Sequence, residues 1–331
     1  LLKLINPALI ITNWENKHKV SIFNSYPIIY KEELISSASR CEFYKIINST
    51  KSNDIAVILL TSGTTDLPKA VELTYNNFKS SSENWDNYLN FKYNDQFLCC
   101  LPLNHIGGLA VIIRALIFGF SVNLVIGFNA QVIFRTIKQH PITIISLVPT
   151  LLMRILKFSD ANLWLKSLRY ILLGGGPASD KLLFHCIENK INIIKTYGMT
   201  ETCSGIVGLS ILKERENHQY AGRPFKDVQL NVKNGTIQIS GPMVMKGYLG
   251  ETPLNGSHNS MDLGYIKNDL LFIECRRKDL IISGGENVNP REVESIIYNF
   301  PGIKDVAVTG IENEEWGQTV TAYVVLNKLV D

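Results

Sequence analysis

Across 331 residues the sequence carries almost no net charge, 33 basic side chains against 30 acidic ones. A balance of +3 excludes a whole-molecule field for nucleic acid or an anionic membrane, so any bound anion must be held locally. There are only 12 alanines, set against 39 isoleucines and 29 asparagines. Average usage has alanine among the commonest residues, and this inversion follows A/T-rich codons such as those of a plastid or a reduced bacterium. None of the six cysteines forms a C-x-x-C pair, and Cys99 and Cys100 are neighbours within an apolar run. They are expected as buried thiols in a reducing compartment. No secretory signal is evident, because Lys3, Asn6 and Pro7 break the apolar start and no small-residue cleavage site follows. The most membrane-like stretch, 109–128, contains Arg114, Ser121 and Asn123, and one Arg costs about 2.5–3.5 kcal/mol at mid-bilayer. A buried helix followed by a buried strand is expected there instead. What is present, 46% apolar and 19% charged residues, suits one large core or two domains.

From residue 54 onward, short β-branched runs alternate with stretches of helical period. Strands are expected at 55–60, 97–101, 122–126, 142–148, 170–173 and 191–196, and helices at 76–89, 106–118, 130–139, 150–157 and 179–189. Repeated strand–helix–strand units predict a parallel sheet covered by helices. Beyond Gly205 the texture becomes Gly-punctuated strands, with Asn234-Gly235 marking a two-residue hairpin. From Lys278 a strand and turn, a helix over 291–298 and strands at 306–309 and 320–326 suggest a small, incomplete domain.

Polar clusters fall just after the expected parallel strands: Thr61-Ser62-Gly63-Thr64-Thr65, Asn104-His105, Pro149-Thr150, Gly174-Gly175-Gly176-Pro177 and Tyr197-Gly198-Met199-Thr200-Glu201. In open α/β sheets that edge is where ligands bind. TSGTTDLPK offers hydroxyls, backbone amides and the cation of Lys69, which suits a polyphosphate. Pro68 stands where a P-loop needs its second Gly, so the Walker arrangement is excluded. Taken alone, the cluster could be a plain loop. The triple glycine could admit a flat ring against bare backbone or merely allow close packing. Tyr197 supplies an aromatic face and Glu201 a carboxylate for Mg²⁺; a packed tyrosine and a solvated glutamate are the alternative. His105 is open to either a catalytic or a hydrogen-bonded structural role.

Taken in order, TSGTTDLPKAVELTYNN, LPLNHIGGL, LVPTLLMRIL, LLGGGPAS, KTYGMTET, AGRP, MDLGY, RRKDLIISGGENVNPREVE and WGQTVTAYVVL resemble the acyl-adenylate-forming superfamily of acyl-CoA ligases, luciferases and peptide-synthetase adenylation domains. The resemblance runs from about Ile55 to the end. HIGGLAVIIRALIFG, LLGGGPASDKLL and YGMTET are most similar to the o-succinylbenzoate-CoA ligase branch of menaquinone and phylloquinone synthesis. It implies an α/β fold with a large acyl-adenylate-forming domain over 1–277, shortened at its N-terminus, built on a helix-flanked, largely parallel sheet and a β-rich subdomain. A partial α+β swivelling domain over 278–331 would follow. It also implies ATP, Mg²⁺ and coenzyme A: the acid attacks the α-phosphorus to give acyl-AMP, and the thiol then displaces AMP. No nucleic acid and no membrane insertion enter that scheme.

By the same resemblance, Thr61, Ser62, Gly63, Thr64, Thr65 and Lys69 match the phosphate loop. Gly174, Gly175, Gly176 and Pro177 match the adenine wall and Tyr197 its stacking partner. Thr200 and Glu201 match the phosphate and Mg²⁺ positions, Asp262 the ribose carboxylate, Arg276 its cationic neighbour, and His105 the histidine beside the acyl pocket. Lys278 falls at the hinge, and Gly284-Gly285 in the loop lining the coenzyme A channel. A substrate with two carboxylates needs a cation, for which Arg114 and Arg154 are candidates; a snorkelling arginine at a helix end is the alternative.

The departures from the pattern carry expectations too. Asp66 replaces a usual Gly and sets a negative charge beside the triphosphate, which predicts weaker ATP binding. Asn104 replaces an aromatic, and Ser260-Met261 replace Thr-Gly before Asp262, so a looser acyl wall and ribose turn are expected. No residue matches the lysine that contacts the acyl carboxylate during adenylation, so coenzyme A transfer from supplied acyl-AMP is expected to survive better than adenylation. The alternatives are another aryl or medium-chain acyl-CoA ligase and a non-catalytic nucleotide-binding remnant.

Overall fold

Five β-strands lie parallel at the centre of the molecule, in the spatial order Ser121–Leu124, Gln96–Cys99, Ile144–Leu147, Tyr170–Leu173, Ile193–Met199. Ser204–Ser210 and Arg223–Pro224 extend this sheet with antiparallel pairing on the Ile193–Met199 side. The structure is a computed structural model, and it describes residues 7–20, 26–33, 50–61 and 68–326. Ser62, Gly63, Thr64, Thr65 and Asp66, together with Cys41, lie outside the described residues, and so do the expectations placed on them.

Helices cover both faces of the sheet, which explains its near-continuous apolar runs. Phe97, Cys99 and Ile144 face one core with Leu172 and Ile194, whereas Leu98, Cys100 and Ile145 face the other with Ile133, Leu151 and Leu183. The adjacent cysteines therefore point to opposite layers. Burial pushes the thiols of Cys100, Cys186 and Cys203 up to about 12, so they are protonated at neutral pH. Helix starts follow the cap chemistry. Thr74 Oγ1 accepts from Asn77 N at 3.2 Å while Asn77 Oδ1 accepts from Thr74 N at 2.8 Å, and Asn129 and Ser179 cap the Ala130–Gln139 and Asp180–Glu188 helices.

The structure corrects the sequence reading in four places. Ile55–Thr61 is not a member of the parallel sheet. It pairs antiparallel with Lys69–Thr74, which pairs in turn with Gly247–Tyr248. Lys69–Thr74 carried no strand expectation, because KAVELT reads as a strand only beside its partners Ile55–Thr61 and Gly247–Tyr248. Second, Tyr197, Gly198 and Met199 lie within a strand, not beyond its end. Third, Ala161–Ser167 forms a helix that had no expectation. Fourth, Ser121–Leu124 is an edge strand with Leu124 exposed, not a buried one. No helix among the described residues is long and apolar enough to cross a membrane.

The β-rich part is a four-stranded antiparallel sheet in the order Gln229–Lys233, Thr236–Ser240, Ser257–Lys267, Leu270–Arg276. Its Asn234-Gly235 turn has φ of 52° and 74°, the left-handed pair that a tight hairpin of this hand requires. From Ile281 a second four-stranded sheet follows, with the Pro290–Tyr298 helix packed against its Ile303–Asn313 strand.

Candidate functional site

The carboxyl ends of Tyr170–Leu173 and Ile193–Met199 open into a cleft of about 550 Å³. Gly175, Gly176 and Pro177 line it, together with Tyr197, Asp262 and Arg276. The three glycines play different parts. A Cβ on Gly174 would sit 2.8 Å from Thr196 Cγ2, so that residue permits two strands to approach, whereas one on Gly176 would meet nothing within 4 Å. Gly175 takes φ of 75° between them.

In the same cleft, the Tyr197 hydroxyl donates to Asp262 Oδ2 at 2.7 Å. Arg276 Nε lies 3.3 Å from Asp262 Oδ1, and the two residues are cross-strand partners. Asp262 is buried, so this neighbouring cation and hydroxyl compensate its charge. A carboxylate has about four lone-pair sites, which leaves capacity for ligand hydroxyls. Burial, then the Asp262 charge, raises the Tyr197 phenol well above its ordinary value, so it remains a proton donor. Met261 takes φ of 61°, a left-handed conformation that L side chains adopt at a cost.

Directly after this strand, Thr200–Thr202 makes a single 3-10 turn and carries Glu201 round a corner where Cys203 and Ser204 have φ of 52° and 99°. Glu201 Oε1 accepts a hydrogen bond from the Tyr248 hydroxyl at 2.9 Å. Lys69 Nζ stands 4.4 Å above the Tyr248 ring, and the His258 ring meets the same tyrosine edge-on at 6.5 Å. Burial is the main reason that the His258 imidazole titrates below its ordinary value; Lys69 adds to the shift, while Glu201 and Asp262 oppose it. Among the described residues, Glu201 has no ion-pair partner, and no group of three or more His, Cys, Asp or Glu could hold a metal by itself. One uncompensated carboxylate suits Mg²⁺ that brings phosphate oxygens and water as its other ligands.

The other candidate residues are scattered. His105 is the exposed N-cap residue of the Ile106–Phe118 helix, and its side chain makes no capping bond. Thr61 ends its strand, with Oγ1 3.5 Å from the Lys69 carbonyl. Lys278 lies in a single 3-10 turn at Arg277–Asp279, whose Asp279 lines the cleft together with Arg291. Gly284 and Gly285 form the turn between Ile281–Ser283 and Glu286–Val288, with φ of 58° and 84°, outside the cleft lining.

Arg154 is exposed in the last turn of the Pro149–Ile155 helix. Arg114 is 3% exposed in mid-helix and so does not snorkel. Its Nη2 donates to Ser204 Oγ at 2.5 Å, its guanidinium lies 5.0 Å from the Trp85 ring centroid, and its Nε has no hydrogen-bond partner. Burial lowers this guanidinium to about 10.

Several functional candidates went unread in the sequence. Lys195 lines the cleft, donates to the His218 and Tyr220 carbonyls at 2.5 and 2.8 Å, and is lowered to about 8 by burial. It sits two residues before Tyr197, so strand alternation alone was enough to place it on the same face. His258 precedes Asp262 on one strand, but a register shift and the left-handed Met261 lie between them, so simple alternation does not place it. Tyr248 gave no such signal, because its partners are 47 and 179 positions away.

These features define an α/β protein with a nucleotide-sized cleft at the carboxyl edge of its sheet. The AMP-binding enzyme family matches residues 7–249, and the AMP-binding enzyme C-terminal domain matches 292–331. The chain belongs to the AMP-binding enzyme family. It is 38% identical over 292 residues to the 2-succinylbenzoate--CoA ligase of Bacillus subtilis, covering 83% of this chain and 60% of that protein. With the same enzyme of Bacillus licheniformis it shares 38% identity over 302 residues, covering 86% and 63%. The chain thus spans about three fifths of the length of these curated relatives. Among solved structures, the Bacillus subtilis o-succinylbenzoate CoA synthetase (MenE) in complex with the acyl-adenylate intermediate OSB-AMP superposes with a TM-score of 0.86 at 34% identity, over 100% of this chain and 71% of that one. The same enzyme with ATP and magnesium ion gives 0.87 at 33% identity, over 100% and 72%.

Proposed function

We propose that the chain is an ATP-dependent acid–thiol ligase that activates o-succinylbenzoate as its acyl-adenylate and transfers the acyl group to coenzyme A, in menaquinone or phylloquinone synthesis. The observation that carries this reading is the cleft lined together by the linked Tyr197, Asp262 and Arg276 and by the bare backbone of Gly175 and Gly176. Adenine would lie between that wall and Tyr197, and the ribose hydroxyls would donate to Asp262, held in place by Arg276. Gly174 keeps the wall close to the Tyr197 strand.

A carboxylate is a poor acyl donor, and attack by its oxygen on the α-phosphorus, with pyrophosphate leaving, converts it into a mixed anhydride. The thiol then attacks the carbonyl carbon and AMP departs. What the protein must supply is charge neutralisation as pyrophosphate leaves. Thr61, Ser62, Gly63, Thr64, Thr65 and Lys69 would take the phosphates, with Thr200 beside them and Glu201 holding Mg²⁺. When bound, that ion would neutralise phosphate oxygens. His105 would border the acyl group. Arg114, a buried cation with no carboxylate partner among the described residues, favours an acid bearing a second carboxylate, which would offset the cost of its burial. Arg154 is the exposed alternative. Lys278 would serve as the hinge between a body over 1–277 and a swivelling part over 278–331, with Gly284 and Gly285 lining the thiol's approach. Composition favours a plastid stroma, and the bacterial relatives favour a bacterial cytoplasm.

The test is pyrophosphate release with o-succinylbenzoate, benzoate and a medium-chain fatty acid, each with and without coenzyme A. The expected outcome is fastest release with o-succinylbenzoate and thioester formed only when coenzyme A is present. Equal or faster release with another acid would reassign the substrate. ATP binding without any release would instead indicate a nucleotide-binding remnant.

A further inference from the structure

One segment, 242–249, ties together the two parts of the site that would meet the triphosphate. Asn77, in the first turn of the Tyr75–Leu89 helix, anchors its start by donating from Nδ2 to the carbonyls of Pro242 and Val244, each at 2.8 Å. Met245 N then donates to the Glu201 carbonyl at 2.8 Å, and Leu249 N to the Ala70 carbonyl at 2.9 Å. Between these bonds, Gly247–Tyr248 pairs with the strand that begins at Lys69. The Tyr248 side chain repeats the connection. Its ring lies under the Lys69 ammonium, and its hydroxyl donates to Glu201 Oε1.

We propose that Tyr248 is a positioning residue for the metal-holding carboxylate: its hydroxyl fixes Glu201 through Oε1 and leaves Oε2 to the cation that accompanies the triphosphate. The inference rests on the reading of Glu201 as the Mg²⁺ residue. A ligating carboxylate free to rotate binds a cation less well, and loss of an orienting hydrogen bond of this kind typically costs about 10–100-fold in metal affinity. The bond is also charge-assisted, which makes it one of the stronger kinds. The ring under Lys69 supplies the rest of the packing, so removing only the hydroxyl isolates the orienting effect.

The experiment is calorimetric titration of ATP into the full chain over a series of Mg²⁺ concentrations, for wild type, Tyr248→Phe, Glu201→Gln and the double variant. Wild type is expected to bind ATP more tightly as Mg²⁺ rises. Tyr248→Phe should raise the Mg²⁺ concentration for half-maximal tightening by about tenfold. It should leave Mg²⁺-free ATP affinity unchanged. In the Glu201→Gln background the Phe substitution should add nothing. Equal weakening with and without Mg²⁺, an unchanged Mg²⁺ dependence, or full additivity with Glu201→Gln would each overturn the role of Tyr248 while leaving that of Glu201 intact. If wild type shows no Mg²⁺ effect, or if Glu201→Gln keeps the wild-type Mg²⁺ dependence, the reading of Glu201 itself fails. Should Tyr248→Phe not fold, Tyr248→Met, which also lacks the hydroxyl but can repack more freely, would replace it: a rise in the Mg²⁺ requirement that vanishes with Glu201→Gln supports the proposal, and its absence overturns it.

Discussion

The cleft and the Glu201 corner are separated by one residue of chain, Thr200, yet they are built by opposite means. The cleft is made by neighbours: parallel strands with crossover helices, a glycine turn after one strand and a tyrosine on the next. The corner is made by distant pieces, an antiparallel pair starting at Ile55 and a return at Gly247–Tyr248 that closes on Glu201. Under the proposed function the two ends of one elongated ligand meet different surfaces: the flat ring a rigid backbone, and the flexible charged tail side chains cross-linked through hydrogen bonds.

If the cleft depends on backbone proximity, its largest stability response should come from Gly174→Ala. The new methyl would press on Thr196, which is already wedged against Gly205. Overpacking of this kind costs about 1–3 kcal/mol, measurable as a lowered urea midpoint. No loss would mean that the strand spacing is loose and the comparison overstated. The next response comes from the ribose turn. Met261→Gly relieves the left-handed φ of 61° and, after the extra freedom glycine gives the unfolded chain, should stabilise by about 0.5–1 kcal/mol. Thermal unfolding would check the sign, and a lower melting temperature would show that the exposed methionine contributes packing.

The sequence made the parallel layer legible in detail. The ranges 170–173, 106–118 and 130–139 coincide with the elements Tyr170–Leu173, Ile106–Phe118 and Ala130–Gln139, because apolar runs bounded by Gly, Asn and Ser carry both period and punctuation. The Asn234-Gly235 hairpin was equally plain. The antiparallel layer was not, since KAVELT reads as a strand only once its partners at 55–61 and 247–248 are known. Site residues follow the same divide. Tyr197 and the glycines stand in local motifs, whereas Tyr248 acquires its place through tertiary pairing alone. The burial of Arg114 was likewise invisible, because an arginine in an apolar helix reads equally well as snorkelling or as inward-facing.

Gly176→Val tests the central claim, that the cleft is an adenine nucleotide site, most directly. Gly176 lines the cleft, and a Cβ there would meet no heavy atom within 4 Å, so a larger side chain is expected to take up cleft space at little cost to the fold. Titration of MgATP into wild type and Gly176→Val should show binding in the first and a loss of about 100-fold or more in the second, at an unchanged melting temperature; the figure corresponds to about 2.8 kcal/mol. Undiminished MgATP binding by a folded Gly176→Val would contradict the account.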